Sequence, residues 1–317
     1  MTELADAPTQ TLVADDGRRI PLYLWEPAGS ARALVQILHG MSEHAGRYER
    51  FALALTQAGY AVVAHDHRGH DADDDGGFFA ERDGWAKVVG DAHRVLDAAQ
   101  ARWQGLPTAL FGHSMGSYVA QACVMRRPDS VQALVLSGST SAPRLQLWLG
   151  RFAAAVEAWR HGRRHASEAL NAQAFGAFNK RFAPARTDFD WLSRDPGEVD
   201  RYVEDPRCGG VPTAGLWQDL LGGLIEIGRD ASLARVPAGL PILITGGGDD
   251  PVGGRRGMQA LAERYRQTGH ERVRLAVFDD ARHEMLNETN RDEFVRLVVD
   301  WLDAALEPEY AAAAGRA

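Results

Sequence analysis

The stretch Thr108-Ala109-Leu110-Phe111-Gly112-His113-Ser114-Met115-Gly116-Ser117-Tyr118-Val119-Ala120 decides how this chain is read. Thr108 to Phe111 has the apolar, β-rich character of a buried strand, and the residues from Met115 to about Met125 read as a helix. Between them lies a G-x-S-x-G pattern, Gly112 to Gly116. Such a five-residue match is common by chance, and its position between a strand and a helix gives it meaning. A sharp strand-to-helix turn holds the serine in a strained conformation and brings neighbouring backbones close, which residues without a Cβ tolerate. Ser114 is therefore the candidate nucleophile.

Working outward, strands are expected at Ile20 to Trp25, Ala33 to His39, Tyr60 to His65 and Val131 to Ser137, with helices near Tyr48 to Gln57 and Val88 to Ala101. The second strand is almost continuously apolar, as when both faces of a sheet are covered. Alternating strands and helices predict an α/β fold, a mostly parallel central sheet with helices on both faces. From about Pro143 to Ser232 the rhythm turns helical, with many aromatics and no convincing strand. The alternation resumes with strand Pro241 to Thr245, a helix near Gly257 to Arg266, strand Val273 to Phe278 and a helix from Arg291 to Leu306, ahead of a tail, Ala311 to Ala317, expected to fray. The expected division is a core of residues 1–142 and 233–317 with a helical cap inserted at 143–232.

The chain has 317 residues, 45% hydrophobic, enough to bury such a core and a smaller lobe. A formal net charge of -8 with interspersed signs argues against a nucleic-acid partner, which needs clustered Lys and Arg. Cys123 and Cys208 show no metal-type or redox-type spacing and read as buried free thiols. The acidic start, Met1 to Asp6, lacks the features of a signal peptide, and no apolar run approaches ~18 residues. A cytoplasmic protein is the expectation; oligomeric state is not readable.

A serine hydroxyl is a weak nucleophile and needs a base, itself oriented by a carboxylate. For a serine on a strand-to-helix turn of this kind, the acid and then the histidine follow in the chain. After strand Pro241 to Thr245, the loop Gly246-Gly247-Gly248-Asp249-Asp250-Pro251-Val252 offers two carboxylates at a strand's carboxyl end, where open α/β sheets place their sites. Asp250 is favoured over Asp249, because Pro251 fixes the backbone after it and Gly247 precedes it at the usual spacing. After Val273 to Phe278, the loop Asp279-Asp280-Ala281-Arg282-His283-Glu284 offers one histidine, His283. An oxyanion hole needs two preorganised N–H donors. The backbone of Met115 supplies one, and Met41, following His39-Gly40, is expected to supply the other.

The segment His39-Gly40-Met41-Ser42-Glu43-His44-Ala45-Gly46-Arg47-Tyr48 resembles the H-G-x-x-E-H-x-x-R-Y stretch of monoacylglycerol lipases and bacterial lysophospholipase-like hydrolases of the serine aminopeptidase S33 type. Asp66-His67-Arg68-Gly69-His70, Gly112 to Gly116, Asp250-Pro251-Val252 and Arg282-His283-Glu284 fall in that family's order, over roughly residues 10 to 305. The resemblance implies an α/β-hydrolase fold with a mobile helical cap, no cofactor and no metal, and hydrolysis of small acyl esters, lipid-like and glycerol-linked. Carried onto matching positions it implies Ser114 as nucleophile, Asp250 as acid, His283 as base, and Met41 and Met115 as oxyanion donors. One departure stands out: where the family continues Arg-Gly-His-Gly, this chain has Asp71 after His70, followed by Asp73-Asp74-Asp75. The loop there is expected to differ.

Other readings compete. His65-Asp66-His67-Arg68-Gly69-His70 approaches the H-x-H-x-D-H zinc motif of metallo-β-lactamase-type hydrolases, but Gly69 stands where the aspartate should be. A non-catalytic binding protein on the same fold would usually lack a member of the triad. A short-chain carboxylesterase or an amide or peptide hydrolase would use the same triad. In the cap, Leu145, Leu147, Trp148, Phe152, Leu216, Trp217, Leu220, Leu221 and Leu224 recur at helical spacing and read mainly as its own core, some facing the cleft. Arg160-His161-Gly162-Arg163-Arg164-His165 reads as a solvated helix end, or as a contact for an anionic head group or membrane surface.

Overall fold

The computed structural model describes residues 10–71 and 76–307. The acidic run Asp73 to Asp75, the Met1 to Asp6 start and the Ala311 to Ala317 tail lie outside the described residues.

Eight strands form one sheet: β1 (Gln10–Val13), β2 (Arg19–Trp25), β3 (Ala33–Leu38), β4 (Tyr60–His65), β5 (Thr108–His113), β6 (Ala133–Ser137), β7 (Ile242–Gly247) and β8 (Val273–Phe278), in the order β1-β2-β4-β3-β5-β6-β7-β8. β1 and β2 form an antiparallel hairpin, β2 runs antiparallel to β4, and every pairing beyond is parallel. The mostly parallel sheet expected from the alternation is present. β1 was not anticipated; it is a short edge strand whose exposed side chains carry no core pattern.

Strand periodicity sorts the core. Leu110, Leu134, Leu136, Ile242 and Ile244 point to a face covered by α2 (Gly84–Arg102), α3 (Met115–Arg126) and α9 (Gly254–Gln267). Val35, Ile37, Phe111, Val135 and Leu243 point to the other, covered by α1 (Glu49–Gln57) and α10 (Arg291–Leu306). The order in which successive strands are added reverses beside β3, which sends its crossover to β4 on one side and pairs with β5 on the other. The carboxyl ends of β3 and β5 therefore open a crevice at a topological switch point.

The chain between β6 and β7 is helical: α4 (Arg144–His161), α5 (Glu168–Phe175), α6 (Pro196–Glu204), α7 (Ala214–Ile227) and α8 (Asp230–Leu233). The starts of α5, α6 and α7 are written locally, since Ser167, Asp195 and Thr213 each accept an N–H of the first turn. Leu216, Trp217 and Leu220 are buried as expected. On α4 the expectation fails. Leu147 is buried, but Leu145, Trp148 and Phe152 are 72%, 47% and 70% exposed, joined by Leu149, Val156 and Trp159 on the same outer face. Apolar periodicity marks a helix face; it does not say whether anything lies against it.

At the family's missing glycine, the Asp71 carboxylate accepts from Arg18 of the β1–β2 hairpin at 2.6 Å. Beside it, Arg68 is held by Asp16 and Asp91. The departure has become a tie between the loop and the edge of the sheet.

Candidate active site

Ser114 follows β5 directly, at φ 50°, ψ -119°, a conformation outside the helix and strand regions. Its N–H donates to Ser137 O of β6 at 2.9 Å, so the neighbouring strand over-determines the strained residue. The glycines act by close approach. A Cβ on Gly116 would lie 2.1 Å from Leu38 O and one on Gly112 2.5 Å from Gly116 O, so any side chain would push α3 off β3. Met115 opens α3, where the N–H has no acceptor within its own helix.

Asp250 follows β7 and His283 follows β8, both buried. His283 Nδ1 donates to Asp250 Oδ2 at 2.8 Å, and Asp250 Oδ1 accepts the Val252 N–H at 2.8 Å. Bonded there, the ring carries its proton at Nδ1 and leaves Nε2 as an acceptor. Burial pulls the imidazole pKa down, but the charge and hydrogen bond of Asp250, with Glu284 and Glu43 beyond, outweigh it and leave the pKa raised. Asp249 points elsewhere: it is exposed and pairs with Arg181 of the inserted region. The His113 ring lies 4.8 Å from that of His283, but its pKa is pushed down to about 3, chiefly by burial, so it stays neutral. Met41, Ser114, Met115 and His283 line one cavity of about 670 Å³, and Asp250 joins them through its bond to His283. The five residues expected from sequence are thus brought together.

Supporting residues inside the quoted motifs had no role assigned from sequence. Glu43 Oε1 accepts the Gly40 N–H at 2.6 Å and the Tyr48 hydroxyl at 2.8 Å, fixing the loop that carries Met41. Arg47 donates to Glu43 at 2.6 Å and, through two nitrogens, to Glu284 at 2.7 Å. Burial would raise the pKa of Glu284, but the Arg47 charge dominates and holds it well below the ordinary carboxylate range. A bidentate buried guanidinium therefore joins the β3 loop to the loop bearing His283. Replacing Arg47 with methionine leaves two carboxylates facing one another without their cation. Stability in urea is expected to fall by about 3–5 kcal/mol, and a change under 1 kcal/mol would refute the network's importance.

The inserted region also reaches the histidine. Trp191 lies 5.2 Å from the His283 ring, centroid to centroid. Glu284 N–H donates to Leu192 O at 2.8 Å, Ser193 Oγ to Asn287 O at 2.7 Å, and Arg194 pairs with buried Glu288. Trp191 could not be found by sequence, since nothing local tells a cleft-facing tryptophan from a core one.

The histidines of the zinc-like stretch do not converge. His67 N–H donates to His39 Nε2 at 2.9 Å, and His65 meets His67 edge to face at 4.8 Å. Burial drives the pKa of His65 down to about 3. Among the described residues, the group with three metal-type ligand atoms close together is a different one, His44, Asp205 and Cys208.

A parallel sheet carrying a strained serine at one strand end and a buried Asp–His pair at two later ones defines an enzyme of the α/β-hydrolase class. The family described as serine aminopeptidase, S33, matches residues 29–290, and the chain belongs to it. It is 29% identical over 288 residues to the monoacylglycerol lipase of Mycolicibacterium smegmatis, covering 90% of this chain and 93% of that protein. To the human monoglyceride lipase it is 27% identical over 293 residues, covering 87% and 84%. Among solved structures, a thermostable carboxyl esterase from Bacillus coagulans in complex with glycerol superposes with a TM-score of 0.86 at 25% identity, covering 94% of this chain and 98% of that one. A lipase in its open form gives 0.82 at 29% identity, covering 94% and 98%. The chain is a carboxylic ester hydrolase.

Proposed function

We propose that this enzyme cleaves monoacylglycerol or lysophospholipid-type acyl esters through an acyl-enzyme on Ser114. The cavity over Ser114 carries the reading: at about 670 Å³ it has the size of a small-molecule site, with apolar walls from Tyr118, Phe175, Trp217, Leu220 and Leu224 and polar groups from Asn171 and Asn179. The names of the lipase relatives point the same way. In the proposed mechanism His283 Nε2 takes the Ser114 proton as Oγ attacks the ester carbonyl. The Met41 and Met115 N–H groups receive the oxyanion, and His283 returns the proton to the leaving alcohol. Water then attacks the acyl-enzyme, with His283 again as base. Residues 143–232 serve as the lid, contributing cavity walls and Trp191 against the base. The test is an activity panel of short esters, monoacylglycerols, lysophospholipids and aminoacyl amides. The reading requires highest kcat/KM on a long-chain monoester; preference for the amides would overturn it.

Turnover needs His283 neutral. Because its folded pKa is raised, kcat/KM should fall with acidity along a limb lying above the ordinary imidazole value of about 6.5. An acid limb below 6 would contradict the Asp250 assignment.

The exposed stripe on α4 favours a second element, transient contact of the lid with a lipid surface. Leu145, Leu149, Phe152 and Trp159 stand on one face, with Arg144 and Arg160 at the helix ends. No helix among the described residues is long and apolar enough to cross a membrane, so the contact would be interfacial. A Phe152→Ser, Trp159→Ser double variant should partition about tenfold more weakly onto anionic vesicles, and unchanged partitioning would remove the idea.

A further inference from the structure

We propose that His44, Asp205 and Cys208 form a binding site for one zinc-class divalent cation, separate from the esterase centre. Their ligand atoms all lie within 4.8 Å of one another, and side-chain shifts of about 1 Å bring them to the ~3.3–3.8 Å mutual spacing of a tetrahedral ion bound at ~2.0–2.3 Å. The set is nitrogen, oxygen and sulfur, the mixture that zinc accepts and that hard cations do not.

Two ligands come from one turn. Cys208 N–H donates to Asp205 O at 3.0 Å, and Arg207 N–H occupies Asp205 Oδ1 at 2.9 Å, leaving Oδ2 to face His44 Nε2 at 2.8 Å. An Asp-x-x-Cys turn thereby presents two ligands at the short spacing typical of structural zinc loops. The third, His44, comes from the β3 loop and is itself buried. Its Nδ1 is buried without a hydrogen-bond partner.

The chemistry balances with one proton released. On binding, the Cys208 S–H bond breaks, the proton leaves to water and the Zn–S bond forms. His44 stays neutral by carrying its proton at Nδ1 instead of Nε2, Asp205 binds as carboxylate, and water takes the fourth position.

The position gives the site a consequence. The Ser42 carbonyl, one residue past Met41, accepts from Tyr202 Oη at 2.8 Å and Gly209 N–H at 2.9 Å, and Ser42 Oγ donates to Gly210 O at 2.7 Å. An ion on His44, Asp205 and Cys208 fastens the inserted region to the loop beside the nucleophile, next to these bonds.

The test titrates the chelator-treated full chain with Co²⁺. A thiolate-to-cobalt charge-transfer absorption should saturate at one equivalent, be displaced by one equivalent of Zn²⁺ and vanish in Cys208→Ser. Iodoacetamide alkylation at Cys208 of the unmodified chain should slow at least ~tenfold with equimolar Zn²⁺, and this arm holds even if Cys208→Ser folds poorly. No absorption at stoichiometric Co²⁺, its survival in Cys208→Ser, or undiminished alkylation each overturns the site. None of these readouts depends on ester hydrolysis, so failure here leaves the proposed reaction standing, and the reverse holds too.

Discussion

Replacing Ser114 with alanine is expected to reduce kcat on esters by on the order of 10⁶-fold and to abolish labelling by a fluorophosphonate probe. The serine supplies the only atom proposed to become covalently attached to the acyl group. With Oγ gone, His283 has no hydroxyl to activate, and what remains is a polarising cavity able to assist water weakly. The substitution should leave the fold intact, because the turn at φ 50° is enforced by the Ser137 contact and the flanking glycines, none of which uses the Ser114 side chain. A folded alanine variant hydrolysing a short p-nitrophenyl ester at more than a hundredth of the original rate would mean another residue is the nucleophile.

The second large effect separates two adjacent carboxylates. Asp250→Asn should lower kcat by about 10⁴-fold, and Asp249→Asn should stay within about twofold. At position 250 the amide can present its NH₂ to His283 Nδ1. That moves the ring proton to Nε2, where it can no longer accept from Ser114, and removes the charge that stabilises the imidazolium. Asp249 has no such partner; it is exposed, and its pair with Arg181 lies in solvent, where ion pairs contribute little. A larger loss at Asp249 than at Asp250 would reverse the assignment.

Both expectations were largely readable in the sequence, because each rests on local patterns. The buried strands β3, β5 and β7 are nearly continuous apolar runs, and Met41, Ser114, Met115 and Asp250 follow them within three residues, while His283 comes five residues after the half-buried β8. The preference for Asp250 rests on Pro251 and Gly247; in the structure Asp250 turns inward to His283 and Asp249 outward to Arg181. The short edge strand β1 escaped because it buries too little to impose alternation.

By itself the sequence determined the mostly parallel sheet from β2 to β8, the order of the candidate serine, acid and histidine along it, and the helical character of the chain between β6 and β7. These follow from periodicities of two and 3.6 residues and from glycine and proline placement, which act over a few neighbours. Only the tertiary structure decided which side of α4 stays exposed, that Arg47 bridges two loops 237 residues apart, that Trp191 stands against His283, and that His44 meets Asp205 from 161 residues away. Such contacts form where the crevice between β3 and β5 meets the inserted helices. Their partners are selected by proximity in space, by charge and by burial, none of which leaves a repeating mark along the chain.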